Sequence, residues 1–206
     1  MTYETLTPRL NTESRQDQIA RAALTLAADG LRAVTISAVA EAVGLVPSAL
    51  YRHFKSRNEM LRAAFMLLRS MLEDNVQCSA METNALVGLE RFWRRHLGLF
   101  HTHGAIPRIL FSEDVAGPGS PFRPMLIEGQ DHLIAGISRI IAQGQQSGQI
   151  RPDVESYDLA VMFLGQILMP AHMFFIRRGE FDIENQVERN WLIFRSMLKM
   201  HQPKEP

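Results

Sequence analysis

Along most of this chain apolar residues recur three and four positions apart, and glycines, prolines and small capping residues cut that rhythm into segments. Such a pattern permits helices and little else. No stretch alternates polar and β-branched residues between turn signals, so the expected fold is all-α, with about nine helices. At 206 residues and 46% apolar, the chain is long enough to bury a substantial core. Ser14 caps a first helix whose apolar positions are Ile19, Ala22, Ala23, Leu26 and Ala27, and Gly30 ends it. Thr35 caps a short helix, Ile36 to Val43, which Gly44 terminates. Pro47 opens another, reaching about His53, because a first helical turn tolerates a missing N–H.

Ser56 starts a long amphipathic helix through Met60, Leu61, Ala64, Phe65, Leu68 and Leu72. Further helices are expected over about Ala85–His101, Pro107–Asp114, Met125–Ser147, from Asp153 or Ser156 to Arg178, and Ile183–Met200. Ala116 to Pro121 is the clearest break. The expected organisation is a flexible tail (1–13), an N-terminal three-helix domain (14–60) and a larger C-terminal helical bundle (61–206).

Composition narrows the possible functions. No apolar run approaches the roughly 20 residues of a membrane span, which argues against a membrane protein. The first residues lack an apolar signal core, and one cysteine, Cys78, can form neither an intrachain disulfide nor a thiolate metal cage; a reducing cytoplasm fits. The 22 basic and 22 acidic residues cancel, and residues 35–62 carry only a small positive excess, so charge alone decides nothing. No nucleophile-elbow serine, paired zinc histidines or phosphate-cradling loop appears, and no enzyme or cofactor is expected. His96, His101 and His103 do not converge on one helical face, and Gly98 and Gly104 interrupt them, so no metal site is expected.

The two short helices around Gly44 form a helix-turn-helix pattern. Leu50 and Phe54 would anchor the second helix, while Pro47, Ser48, Ala49, Arg52 and His53 face outward and Tyr51, Lys55 and Arg57 lie toward a phosphate backbone. Periodicity alone fits an ordinary helical hairpin equally well. The residue string is more specific. Thr35 before the first short helix, Val39-Ala40 within it, Gly44, and Leu50-Tyr51-x-His53-Phe54-Lys55-Ser56 closely resemble the DNA-binding domain of the TetR family of transcriptional regulators. The match reaches back over Ile19–Gly30 and covers roughly 45 residues.

That resemblance implies a homodimeric repressor reading a palindromic operator on double-stranded DNA. It places Thr35 and Ser37 at the start of the helix crossing the backbone, Pro47, Ser48 and Ala49 at base edges, and Tyr51, His53, Lys55 and Arg57 on phosphates. One departure is Val46, where family members often carry a small polar cap. Direct readout then falls to Ser48, Arg52 and apolar contacts to thymine methyls.

In the C-terminal part, segment 156–178 is apolar nearly all round and needs partners on both sides. One side would pack within its own domain and the other on a twofold copy, together with segment 183–200, to make a homodimer through the last two helices; the alternative is a helix enclosed within one subunit. Pro170 should kink it near Gln166. Phe92, Trp93, His96, Phe100, Phe111, Phe163, Gln166 and Met173 could line a mostly apolar pocket for a small hydrophobic effector, or be plain core. The expectation is a ligand-responsive DNA-binding repressor. A regulator of the same fold without a metabolite effector, acting as activator or chromosome organiser, is the alternative; a helical enzyme or adaptor is the more distant one.

Overall fold

The computed structural model describes residues 12–103, 106, 109 and 111–199. The expected tail falls mostly outside that range. The chain divides into two compact units, Met1–Leu68 and Arg69–Pro206.

Among the described residues there are nine α-helices and no strand. The first unit holds α1 (Thr12–Leu26), two 3₁₀ turns (Ala27–Asp29 and Leu31–Ala33), α2 (Ile36–Ala42), α3 (Pro47–Leu50) and the start of α4 (Arg57–Ala80). The first helix begins two residues before the expected cap at Ser14. Gly30, at φ 103° and ψ 155°, sits between the two turns in a conformation that glycine alone adopts readily. The core of this unit is Ile19, Ala23, Leu24, Val34, Val39, Ala40, Leu50, Met60 and Leu61, all essentially inaccessible. Their three-and-four spacing on α1 and α4 is the periodicity of the sequence made physical.

The second unit continues α4 and adds α5 (Ala85–Thr102), α6 (Glu113–Ala116), α7 (Arg123–Gln146), α8 (Ser156–Ile176) and α9 (Ile183–Leu198). The expected helix over Pro107–Asp114 lies partly outside the described residues; within them, helix is seen at Ile106, Ile109 and α6. Ser112, not Pro107, precedes that last short turn. Helix α5 is capped twice. Asn84 Oδ1 accepts from Leu86 N–H (2.9 Å) and Val87 N–H (3.2 Å), and Gln149 Oε1 accepts from Ala85 N–H at 2.7 Å. The Gly148-Gln149 turn after α7 therefore closes the start of α5. Helices α4 and α7 approach so closely that a Cβ on Gly136 would lie 2.6 Å from Val76 Cγ1; only glycine fits there.

Helices α5 and α8 run parallel. Phe92 meets Phe163 at 5.8 Å between ring centroids, and further along both chains His101 meets Phe174 at 6.4 Å. Helix α9 runs antiparallel to α5, since Arg94 pairs with Glu188 (3.1 Å) and His101 with Glu184 (3.1 Å).

One expectation is corrected here, and one alternative is set aside. Helix α8 spans 21 residues with a mean hydropathy of 1.9 over its most apolar window, so one segment does have the length and composition to cross a membrane. It instead packs an inner face (Leu159, Ala160, Phe163, Ile167, Pro170 and Ala171) against the rest of its unit. Nor is it enclosed within one subunit. Tyr157, Val161, Met162, Met169 and Ile176 are exposed, Met169 at 57% and Ile176 at 62%.

Candidate functional site

The reading head is assembled by local backbone chemistry. Thr35 stands in extended conformation before α2, and its Oγ1 accepts from Ala38 N–H at 3.1 Å. At the other end of α2, Gly44 (φ 68°) lets the chain turn: its N–H donates to Glu41 O at 3.1 Å and Leu45 N–H to Ala40 O at 2.8 Å. This is the paired closure of a Schellman motif, and its left-handed position favours a residue without Cβ. Val46 follows as an N-cap whose side chain accepts nothing, with Pro47 at the first helical position.

Regular helix extends only from Pro47 to Leu50, shorter than the Pro47–His53 span expected. Tyr51 to His53 continue as tightened turns, with His53 N–H donating to Leu50 O at 2.9 Å. The i→i−3 bonds through Arg52 and His53 replace the α-helical ladder there, and Phe54 N–H returns to Leu50 O at 2.9 Å. Leu50 is inaccessible and Phe54 nearly so, which pins the segment to the core as expected. Gln16 on α1 donates to His53 O at 3.1 Å and ties down the far end. Ser56 then caps α4 by accepting from Glu59 N–H (3.2 Å), while Glu59 Oε2 accepts from Lys55 N–H (2.6 Å).

Ser37, Pro47, Ser48, Tyr51, Arg52 and Lys55 are exposed, and Ala49 and His53 are half-buried. Val46 joins this surface at 63% exposure. The Thr35 hydroxyl accepts as the expected α2 cap and, on an exposed residue, still has its proton to donate. One residue of the expected set is engaged elsewhere. The Arg57 guanidinium donates to Val34 O at 2.6 Å and to Leu31 O, so it braces the second 3₁₀ turn against α4 instead of standing free for a phosphate. Sequence reasoning assigns Arg57 an outward role because nothing local in the sequence signals carbonyls lying 23 and 26 residues away.

The second unit brings seven of the eight expected effector-site residues onto buried or half-buried positions along α5 and α8. Rings link in series: Phe100 to His96 (4.9 Å), His96 to Phe92 (5.0 Å), and Phe92 to Phe163 (5.8 Å). Trp191 and Phe194 on α9 extend the series to Phe163 at 6.1 and 5.6 Å. These last two are missing from the expected set, although the 3–4 spacing of Val187, Trp191, Phe194 and Leu198 is a signal that places them inward. Trp93 is buried beside Phe92. Phe111 is not in the series: it is 44% exposed and rests on His172, with centroids 4.3 Å apart. Met173 is half-buried, one turn beyond Pro170, and no ring contact joins it to the series.

Pro170 cannot bond the Gln166 carbonyl one turn behind it. Asn190 Nδ2 on α9 supplies the missing donor at 2.9 Å, and Gln186 Nε2 holds the Asn190 amide by donating to its Oδ1 at 2.9 Å. The Gln166 side chain has no such support. Both of its amide atoms are shielded from solvent without a hydrogen-bond partner, as are His96 Nδ1, Trp93 Nε1 and Trp191 Nε1. Burial holds the His96 ring neutral, lowering its pKa from 6.5 to about 4. A core with this many orphaned donors and acceptors is chemically able to hold a partly polar molecule. Among the described residues no cluster of His, Cys, Asp or Glu could hold a metal ion.

Residues 19–64 match the family model for bacterial regulatory proteins of the tetR family. The chain is 28% identical over 155 residues to the HTH-type transcriptional repressor KstR2 of Mycobacterium tuberculosis, covering 73% of this chain and 75% of that one. Among solved structures it resembles the fatty acid degradation regulator FadR from Bacillus halodurans, with TM-score 0.76 at 14% identity over 96% of this chain and all of that one. It also resembles FadR from Bacillus subtilis in complex with stearoyl-CoA, with TM-score 0.73 at 18% identity over 87% and 97% of the two chains. The sequence motif, the capped head and these likenesses converge: residues 19–64 match the tetR family of bacterial regulatory proteins, and the chain is similar over most of its length to a transcriptional repressor of the HTH type.

Proposed function

We propose that the protein is a cytoplasmic, ligand-responsive repressor that binds a palindromic operator as a homodimer and releases it when a small hydrophobic effector occupies the C-terminal unit. The observation that carries this reading is the surface at Ser48, Tyr51, Arg52 and Lys55, exposed on a segment fixed by Leu50, Phe54 and Gln16. A rigid segment presenting a hydroxyl, a phenol and two cations suits a major groove flanked by phosphates. Ser48 and Arg52 address base edges, joined by apolar contacts from Val46, Pro47 and Ala49. Tyr51 and Lys55 hold phosphates, with Ser37 nearby on α2; His53, half-buried, adds a weaker contact. The domain limits for this role are 14–60 for reading and 61–206 for effector binding and dimerisation.

The dimer would form on the uncovered face of α8. Tyr157, Val161, Met169 and Ile176 make an exposed apolar stripe at helical spacing, joined by Leu192, Ile193 and Met197 on α9. The effector is expected to be hydrophobic because the ring series is, and because FadR of B. subtilis, a structural likeness, was solved with a long-chain acyl thioester. Helix α4 belongs to both units and is the natural element through which effector binding would shift the two heads. The effector can act only through its different affinity for the two conformations.

Selecting duplexes from a randomised pool with the purified chain tests this proposal. Recovery of a palindromic consensus, bound by a dimer and weakened steeply by salt, is the expected result. A monomer in solution, or a pool that stays random at low ionic strength, refutes it.

A further inference from the structure

We propose that His96 and Gln166 receive the uncharged polar group, a carbonyl or hydroxyl, of an otherwise apolar ligand seated against the Phe92 and Phe163 rings. The inference rests on the reading of the C-terminal unit as effector-binding and narrows the chemistry of the effector.

The register of α5 and α8 brings the two side chains within one helical turn of each other. The helices run parallel from the Phe92–Phe163 contact to the His101–Phe174 contact. At about 1.5 Å of rise per residue, His96 and Gln166 differ in height by about 1.5 Å counted from the first contact and about 4.5 Å counted from the second. They are also alike chemically. His96 is only 7% exposed and its Nδ1 has no partner; Gln166 Oε1 and Nε2 have none either. Leaving such groups unpaired is costly, so a folded core retains them where something else completes them. Gln166 offers one donor face and one acceptor face, which matches a hydroxyl or a carbonyl equally.

The charges argue for an uncharged partner. Among the described residues the buried polar side chains are Asn75, Ser79 and His96. Asn75 and Ser79 are satisfied, Asn75 Nδ2 by Phe92 O at 3.1 Å and Ser79 Oγ by Asn75 O at 2.7 Å. The arginines of α5 are engaged in bonds of their own: Arg91 and Arg94 point outward, to Glu82 and to Glu90 and Glu188, and Arg95, on an exposed position, reaches in to the buried Asn75 Oδ1 at 3.1 Å. No buried cation among the described residues could neutralise a carboxylate, and His96 stays neutral through the physiological range. A carboxylate brought to this level would be desolvated without a counter-charge.

Two pairs of probes, matched in shape but not in charge, test the proposal: 2-tridecanone against dodecanoate, and progesterone against 3-oxoandrost-4-ene-17β-carboxylate. The two tryptophans, Trp93 and Trp191, report binding by fluorescence quenching in the full-length protein. The neutral member of at least one pair should bind about tenfold or more tighter than its acid. The preference should shrink toward parity in Gln166→Leu and in His96→Leu, with circular dichroism confirming that each variant is folded. Equal or tighter binding of the acids overturns the inference while leaving an effector site in place, and so does a preference that survives both substitutions. If no probe quenches either tryptophan up to its solubility limit, the effector-binding reading itself fails and this inference with it.

Discussion

The two units satisfy their polar groups to different extents. In the reading head, chain ends and turns are closed one after another: Thr35 caps α2, Gly44 permits the reversal, Ser56 and Glu59 cap α4, and Arg57 fills two carbonyls. In the C-terminal unit the helix ends are closed just as carefully, by Asn84, Gln149 and Asp182, yet the middle of the aromatic series keeps Trp93, His96, Gln166 and Trp191 polar atoms without partners. Among the described residues the head leaves His53 Nδ1 shielded without a partner, but its ends and turns are closed, which suits a surface that presents a fixed shape to DNA. On the proposed reading, a core that receives a ligand keeps groups in reserve. The contrast is between a presenting part and a receiving part, and it can be attacked from either side.

The largest effect is expected in the receiving unit. Trp191→Ala removes an inaccessible ring that touches both Phe163 and Phe194, and should cost about 3–5 kcal/mol in chemical denaturation. A loss under about 1 kcal/mol would mean that the ring series is not a packed core. Acid should act on the same unit through His96. Its folded pKa of about 4 lies below the unfolded 6.5, so the unfolded chain takes up the proton first. The stability it contributes is intact above pH 6.5, falls as pH drops toward 4 and then levels off, a loss of about 3 kcal/mol from this group. His96→Leu should flatten that part of the pH–stability curve, and an unchanged slope would show that the ring is solvated.

In the presenting unit the effects are smaller and fall on DNA. Arg52→Ala should cost about 1–3 kcal/mol on the operator and little on random duplex, while Lys55→Ala should weaken both about equally. Quantitative gel-shifts on operator and scrambled DNA separate the two, and matching losses for both substitutions would remove the division between base and phosphate contacts. Gly44→Ala places a Cβ in a left-handed conformation with open space around it, so strain of about 1–2 kcal/mol is the expected cost, without a clash. It should lower head stability in thermal melts; a stabilised protein would contradict the turn geometry.

What the amino-acid order makes legible divides along the same line. Caps, glycine turns and the proline at the start of α3 are decisions of neighbouring residues, so Thr35, Gly44, Pro47 and Ser56 are all identifiable from local sequence. Long-range partners are not. Arg57 reaches carbonyls more than twenty residues away, and Asn190 answers a carbonyl freed by Pro170, a pairing that no local pattern encodes. The apolar set on α8 is visible, but which half is covered depends on α7 and α9, and Phe111 leaves the ring series for His172. The end of α3 at Leu50 also escapes, because the turns through His53 keep helical spacing while tightening their hydrogen bonds.

A hydroxyl-radical footprint of the full-length protein on a duplex recovered by selection tests the central claim most directly. Two protected half-sites with centres about one helical turn apart, roughly 34–36 Å, are predicted, lost in Lys55→Ala at raised salt and lost in the wild type when a quenching ligand is added. Protection of a single half-site, or a footprint indifferent to every ligand that quenches Trp93 and Trp191, would contradict the account of a paired reading head governed by its C-terminal unit.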